Sequence, residues 1–156
     1  MNRGAAIFLG EDRIVVQSQD RNKDGAYLAG SVARELPHSA DVESILIEVE
    51  LALADSKDEV STSAVDAKAL LGPLLVATGE KTWLAISRAF AYVGVAEDEH
   101  GFEFYAGFPE KGAFLFRTEA HWCCDRSDRT GMALGFRRAA VAAIEAQNLA
   151  NPPLLK

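Results

Sequence analysis

Apolar and polar positions divide the chain into short aliphatic runs in the first third, two helical stripes, and a second set of strand-like runs before a long amphipathic C-terminal stretch. Ala5 to Leu9 and Arg13 to Gln17 are rich in aliphatic and β-branched residues and are split by Gly10-Glu11-Asp12, which predicts a hairpin. Gln19 to Gly25 is polar and reads as a turn, and Ala26 to Ala29 reads as a third, short strand. Pro37-His38-Ser39 breaks the chain, and Ser39 or Asp41 can cap a helix running to about Ser56. Val42, Ile45, Leu46, Val49 and Leu53 keep helical spacing, although Ile45, Ile47, Val49, Leu51 and Leu53 also alternate as in a strand. The length of the run and its capping residue favour the helix.

Lys57 to Thr62 reads as a charged linker and Ser63 to Ala77 as a second helix, which Pro73 should end or kink. One or two helical turns are expected over Lys81 to Arg88, then a strand over Ala89 to Val95, a turn at Glu97 to Gly101, and a strand from Phe102 to about Pro109. Gly112 to Arg117 and Ala120 to Asp125 are two further short strands. Asp128 or Thr130 caps a last helix reaching about Asn148, with Met132, Phe136, Ala140, Val141 and Ile144 as its apolar stripe. Trp83, Phe90 and Phe102 are expected in the core. The order predicts an α+β single domain over residues 1–150, an antiparallel sheet packed against helices with a C-terminal helix, followed by a tail at 151–156.

Composition adds little to the fold but constrains function. The 156 residues hold 16 Lys and Arg against 23 Asp and Glu, a net charge of −7. Phosphate backbones and anionic lipids are both held through Lys and Arg, so direct nucleic-acid or membrane partners are not expected. No apolar run approaches the ~20 residues of a membrane span, and the N-terminus lacks the pattern of a signal peptide; a cytoplasmic location is expected. The excess charge is patchy. Asp41, Glu43, Glu48, Glu50, Asp55, Asp58 and Glu59 face only Lys57 among bases, and Glu97-Asp98-Glu99 with Glu103 forms a second focus. Solvated surface explains such runs; so does a surface that meets a basic protein, where charge speeds association and rejects wrong partners.

Motifs for chemistry are weak by comparison. Between Gly72 and Gly79 lie six residues rather than the four of a phosphate loop, and Glu80 stands where the loop needs Lys. No Gly-x-Ser-x-Gly elbow occurs. His121-Trp122-Cys123-Cys124 offers metal-ligating types, but in a strand Cys123 and Cys124 point to opposite faces and cannot share one ion. The adjacent cysteines are also unsuited to a disulfide. Arg137-Arg138 reads as solvated helix surface. No cofactor is expected. A small cytoplasmic enzyme or ligand-binding domain with an aromatic and Cys-lined pocket remains the alternative to a protein-binding role.

The stretch Lys81-Thr82-Trp83-Leu84-Ala85-Ile86-Ser87-Arg88-Ala89-Phe90-Ala91-Tyr92-Val93-Gly94-Val95 runs into Phe102-Glu103-Phe104-Tyr105 and Pro109, and Gly131-Met132-Ala133-Leu134-Gly135 opens the final helix. Over roughly residues 80 to 147 this pattern resembles the immunity proteins of bacterial contact-dependent growth inhibition systems. The resemblance implies a non-enzymatic protein that binds the C-terminal toxin domain of a cognate effector and blocks its active site or substrate cleft. Many such toxins are nucleases, often acting on tRNA, with basic clefts. The resemblance supplies no catalytic residues. From charge alone, the residues expected to meet the toxin are Asp41, Glu43, Glu48, Glu50, Glu97, Asp98, Glu99 and Glu103.

Overall fold

The structure is a computed structural model that describes residues 2–58, 60 and 71–151. The expected helical residues 63–70, Glu59 and the tail at 152–156 lie outside them. Strands β1 (Arg3–Leu9), β2 (Arg13–Arg21) and β3 (Tyr27–Pro37) precede helices α1 (Val42–Asp55), α2 (Gly72–Thr78) and α3 (Trp83–Ala89). Strands β4 (Ala91–Glu97), β5 (Gly101–Glu110) and β6 (Ala113–Asp125) follow, then helix α4 (Arg129–Ala150). The six strands form one sheet in the order β3-β2-β1-β4-β5-β6, with every neighbouring pair antiparallel. The α+β class expected from the element order is the one observed.

Two three-stranded meanders meet at the β1–β4 seam, which lies in the middle of the sheet. Helices cover both faces there, so β1 is a continuous apolar run instead of an alternating one: Ala5, Ala6, Ile7 and Phe8 are all buried. On one face Ala5, Ile7, Val16, Val93, Val95 and Phe104 pack against Ile45, Leu46, Val49 and Leu53 of α1 and Met132, Phe136, Ala139 and Ala143 of α4. On the other, Ala6, Phe8, Val15 and Tyr92 pack against Leu74 of α2, Ile86 of α3, and Phe90. Phe90 and Phe102 are core residues as expected, and Trp83 packs half-buried at the edge of the second cluster.

The helix wins over the strand for residues 42–55. Asp41 caps it by accepting from the Ser44 amide at 2.7 Å, and this backbone hydrogen bond holds the Asp41 carboxyl below its ordinary pKa. The alternating pair Ile47 and Leu51, four residues apart, turns together to the exposed side. Thr82 caps α3 in the same way, accepting from the Ala85 amide at 3.1 Å, and Asp128 caps α4 through the Gly131 amide at 2.8 Å.

Five expectations need correction. Pro73 does not end a helix; it stands in the first turn of α2, where the amide it lacks has no intrahelical partner to lose, and the helix runs on to Thr78. The polar stretch Gln19–Gly25 is not all turn: β2 continues to Arg21, and the turn is confined to Asn22–Gly25, where the Asn22 side chain accepts from the Asp24 and Ala26 amides. Polarity misleads there because Gln19 and Arg21 find partners on other elements, Tyr92 and Asp58. The third strand is eleven residues long rather than four, because it bulges past Ser18, whose hydroxyl bonds the Val32 carbonyl. The two short strands after Gly112 are one strand, β6, interrupted opposite Tyr105 and Gly107 by extra residues around Thr118 and Glu119. Finally, Val141 and Ile144 are exposed, and the buried stripe of α4 is made of Met132, Gly135, Phe136, Ala139, Ala143, Ala146 and Gln147. The helix lies so close to β5 that a Cβ on Gly135 would come within 3.0 Å of the Phe104 ring. At that point of the interface only a small residue fits.

Candidate functional site

The second acidic segment folds into a tight β4–β5 turn. Asp98 shapes the turn: its amide bonds the Gly101 carbonyl at 3.0 Å, and its side chain accepts from the His100 and Gly101 amides at 2.8 and 3.2 Å. Those amides, the His100 one foremost, hold the Asp98 carboxyl below its ordinary pKa. Gly101 closes the turn at φ 150°, with its Cα against the Cys124 carbonyl, where any Cβ would lie 2.1 Å from that oxygen.

Two pockets that share Phe102 open near this turn. The first, of about 430 Å³, is lined by Arg3, Glu50, Leu53, Glu97, Phe102, Arg126, Ser127, Arg129 and Met132. It brings Glu50 of α1 beside Glu97 of β4, two acids far apart in sequence, and sets three arginines among them. The second, of about 460 Å³, is lined by Asp98, His100, Gly101, Phe102, Glu103, Cys123, Cys124, Asp125 and Asp128. Its rim is acidic, and it combines an aromatic ring with both cysteines.

Several of the expected contact acids hold the fold together. Arg129 pairs with Glu43 at 2.6 Å and with Glu50, clamping α4 to α1. Arg34 of β3 lies 3.6 Å from Glu48 and 3.8 Å from Asp55, and Arg3 lies 3.7 Å from Glu97. The α1 acids are thus partly neutralised, a compensation no count of charges reveals. Glu99 is well exposed, its carboxylate 3.5 Å from His100. Asp98, Glu99 and Glu103 cluster at the turn and its following strand, whereas Asp41 and Glu43 lie at the start of α1.

The β5–β6 ladder assembles a further group that sequence reading missed. Glu103 is directly opposite Cys123, and Tyr105 directly opposite His121. Residues two apart in a strand share a face, so His121 and Cys123 point the same way while Cys124 points to the other. His121 Nε2 lies 3.4 Å from Glu103 Oε2 and 3.6 Å from Cys123 Sγ. The Tyr105 ring stacks on the His121 ring, 5.6 Å between centroids and 26° between planes. Desolvation, with Glu103 and Asp98 nearby, pushes the Cys123 thiol above its ordinary pKa. The spacing of His121 and Cys123 was visible in the sequence, but Glu103 joins them only through strand register.

No family model and no curated protein matches the chain. Solved structures do. A protein of unknown function from Neisseria meningitidis superposes with a TM-score of 0.73 at 16% identity, over 92% of this chain and 96% of that one. A chain of the CdiA-CT/CdiI toxin and immunity complex from Yersinia pseudotuberculosis superposes with a TM-score of 0.71 at 12% identity, over 92% of this chain and 97% of that one. At these identities the likeness is one of fold, and it covers nearly the full length of each partner. Among the described residues no helix is long and apolar enough to cross a membrane.

Proposed function

We propose that this chain is an immunity-type protein that binds a toxin domain of the CdiA-CT kind and neutralises it without catalysing a reaction. The observation that carries this reading is the near full-length likeness to a chain of a toxin and immunity complex. It is consistent with the family resemblance carried by roughly residues 80 to 147.

The finer reading is that the partner is a basic domain, a nuclease among the candidates, held in the cytoplasm. The contact would centre on the turn acids Asp98, Glu99 and Glu103, with Glu97, Glu50, Glu48, Glu43 and Asp41 extending the negative surface along α1. Arginine-paired carboxylates contribute less to the field than free ones, which is why the turn is placed at the centre. Charge of this kind raises the association rate, and the gain falls as salt screens it.

The test is to express the chain with the toxin domain encoded beside its gene. A 1:1 complex and restored growth are expected. Reversing the exposed Glu99 to Lys, which leaves the Asp98 turn bonds in place, should slow association at low salt and little at high salt. If no complex forms, the immunity reading is refuted. If a complex forms and the charge reversal leaves the association rate unchanged, the acidic-surface mechanism alone fails.

A further inference from the structure

We propose that Glu103, His121 and Cys123 form a binding site for a divalent transition metal of the zinc class, built on the β5–β6 ladder and sharing Glu103 with the acidic surface at the turn. The three offer one carboxylate oxygen, one imidazole nitrogen and one sulfur, all within 4.8 Å of one another. Zinc binds such donors at about 2.0–2.2 Å for nitrogen and oxygen and about 2.3 Å for sulfur, tetrahedrally. The edge of a tetrahedron is about 1.6 times the bond length, so its donors must sit roughly 3.3–3.8 Å apart. The observed 3.4 Å from His121 to Glu103 and 3.6 Å from His121 to Cys123 already match those edges. Glu103 and Cys123 close the third edge by rotation of side chains that are half-buried and exposed.

An ion pair with Glu103 and a weak hydrogen bond with Cys123 account for these approaches one at a time, but both converge on the same imidazole nitrogen, Nε2, as donors around one ion would. The backbone sets all three donors. Register places Glu103 across from Cys123, the two-residue step places His121 on the same face, and the stacked Tyr105 ring fixes the imidazole plane. Sulfur with imidazole and a carboxylate selects against calcium and magnesium, which take oxygen ligands. Three protein ligands leave a fourth position for water or for a group of a bound molecule.

Cobalt(II) is the probe, added to the reduced, chelator-treated full chain without any toxin, so that the result is independent of the immunity reading. One ion per chain should bind, giving the thiolate-to-cobalt charge-transfer absorption and the intense visible bands of a tetrahedral site, and zinc should displace it. Cys123→Ser should abolish the charge-transfer band. His121→Ala and Glu103→Gln should each weaken cobalt binding by at least about 100-fold, beyond the 10–100-fold typical of losing an outer-shell partner. Cys124→Ser, on the opposite face, should leave the spectrum intact. Circular dichroism of each variant checks that it folds, and the Glu103 and His121 variants lie on different strands, so a failure of one leaves the other decisive. The proposal is overturned if no thiolate band forms at millimolar cobalt, if the band survives Cys123→Ser, or if it depends on Cys124.

Discussion

Tyr92→Phe should make the protein less stable near neutral pH and yet remove its disadvantage in alkali. Tyr92 lies on β4 with only 7% of its surface exposed. Its hydroxyl accepts from Gln19 Nε2 at 2.9 Å, and its ring stacks on Phe114 and meets Phe8 edge-on. Burial disfavours the phenolate, so the hydroxyl pKa is pushed up to about 12 from 10.0. A folded-state pKa above the unfolded one means stability that is complete below about pH 10 and is lost as pH rises through the folded value. Two units at about 1.36 kcal/mol each give a total loss of roughly 2.7 kcal/mol. By about pH 11 the unfolded tyrosine is mostly ionised and the folded one mostly neutral, so roughly half of that, about 1.4 kcal/mol, is already gone. Phenylalanine cannot ionise, but it forfeits the hydrogen bond and leaves the Gln19 amide short of that acceptor, at about 1 kcal/mol. The stability curves of the two proteins should therefore converge and cross near pH 11. Burial also raises the pKa of Tyr27 and Tyr105, but both proteins share them and they cancel in the difference. Urea unfolding followed by the fluorescence of Trp83 and Trp122, in reductant at pH 8 and 11, measures the gap. A gap that stays constant over this range would refute the burial argument.

Gly101→Ala should destabilise by roughly 1–3 kcal/mol or prevent folding, since its Cβ would sit 2.1 Å from a backbone oxygen at a φ that side chains avoid; a midpoint in urea equal to that of the parent would contradict the close approach. Arg129→Ala removes the clamp on Glu43 and Glu50, and because both pairs are partly exposed it should cost no more than about 1 kcal/mol. That is roughly 2–4 °C in Tm for a chain of this size, and the difference should shrink in high salt. Val141→Glu should change stability by no more than about 0.5 kcal/mol, while Phe136→Ala, in the same helix but buried, should cost about 3–5 kcal/mol. Equal losses in thermal melts of these two variants would show that the buried face of α4 has been assigned wrongly.

Local signals placed most elements because each has a local cause. Asp41, Thr82 and Asp128 cap α1, α3 and α4 through side-chain bonds within three residues, and Pro37 ends β3 where the chain was expected to break. Signals failed where the partner was distant. Gln19 and Arg21 are strand residues because Tyr92 and Asp58 receive them. Val141 and Ile144 are exposed because α4 rests on the sheet through the face that carries Met132, Gly135, Phe136, Ala139 and Ala143, with Gly135 held close to Phe104, and this turns them outward.

The same division runs through the candidate site. The acidity of Asp41–Asp58 and Glu97–Glu103, the α+β class, and the face shared by His121 and Cys123 all follow from composition and from the periods of helix and strand. Tertiary structure alone decided that Arg129, Arg34 and Arg3 would take up Glu43, Glu50, Glu48 and Glu97. It alone brought Glu50 and Glu97 to one pocket and set Glu103 across from Cys123. The physical reason is range: caps and side-chain periodicity act over a few residues and can be read along the chain. Ion pairs, register and the closeness of a helix to a sheet depend on which distant segments folding brings together.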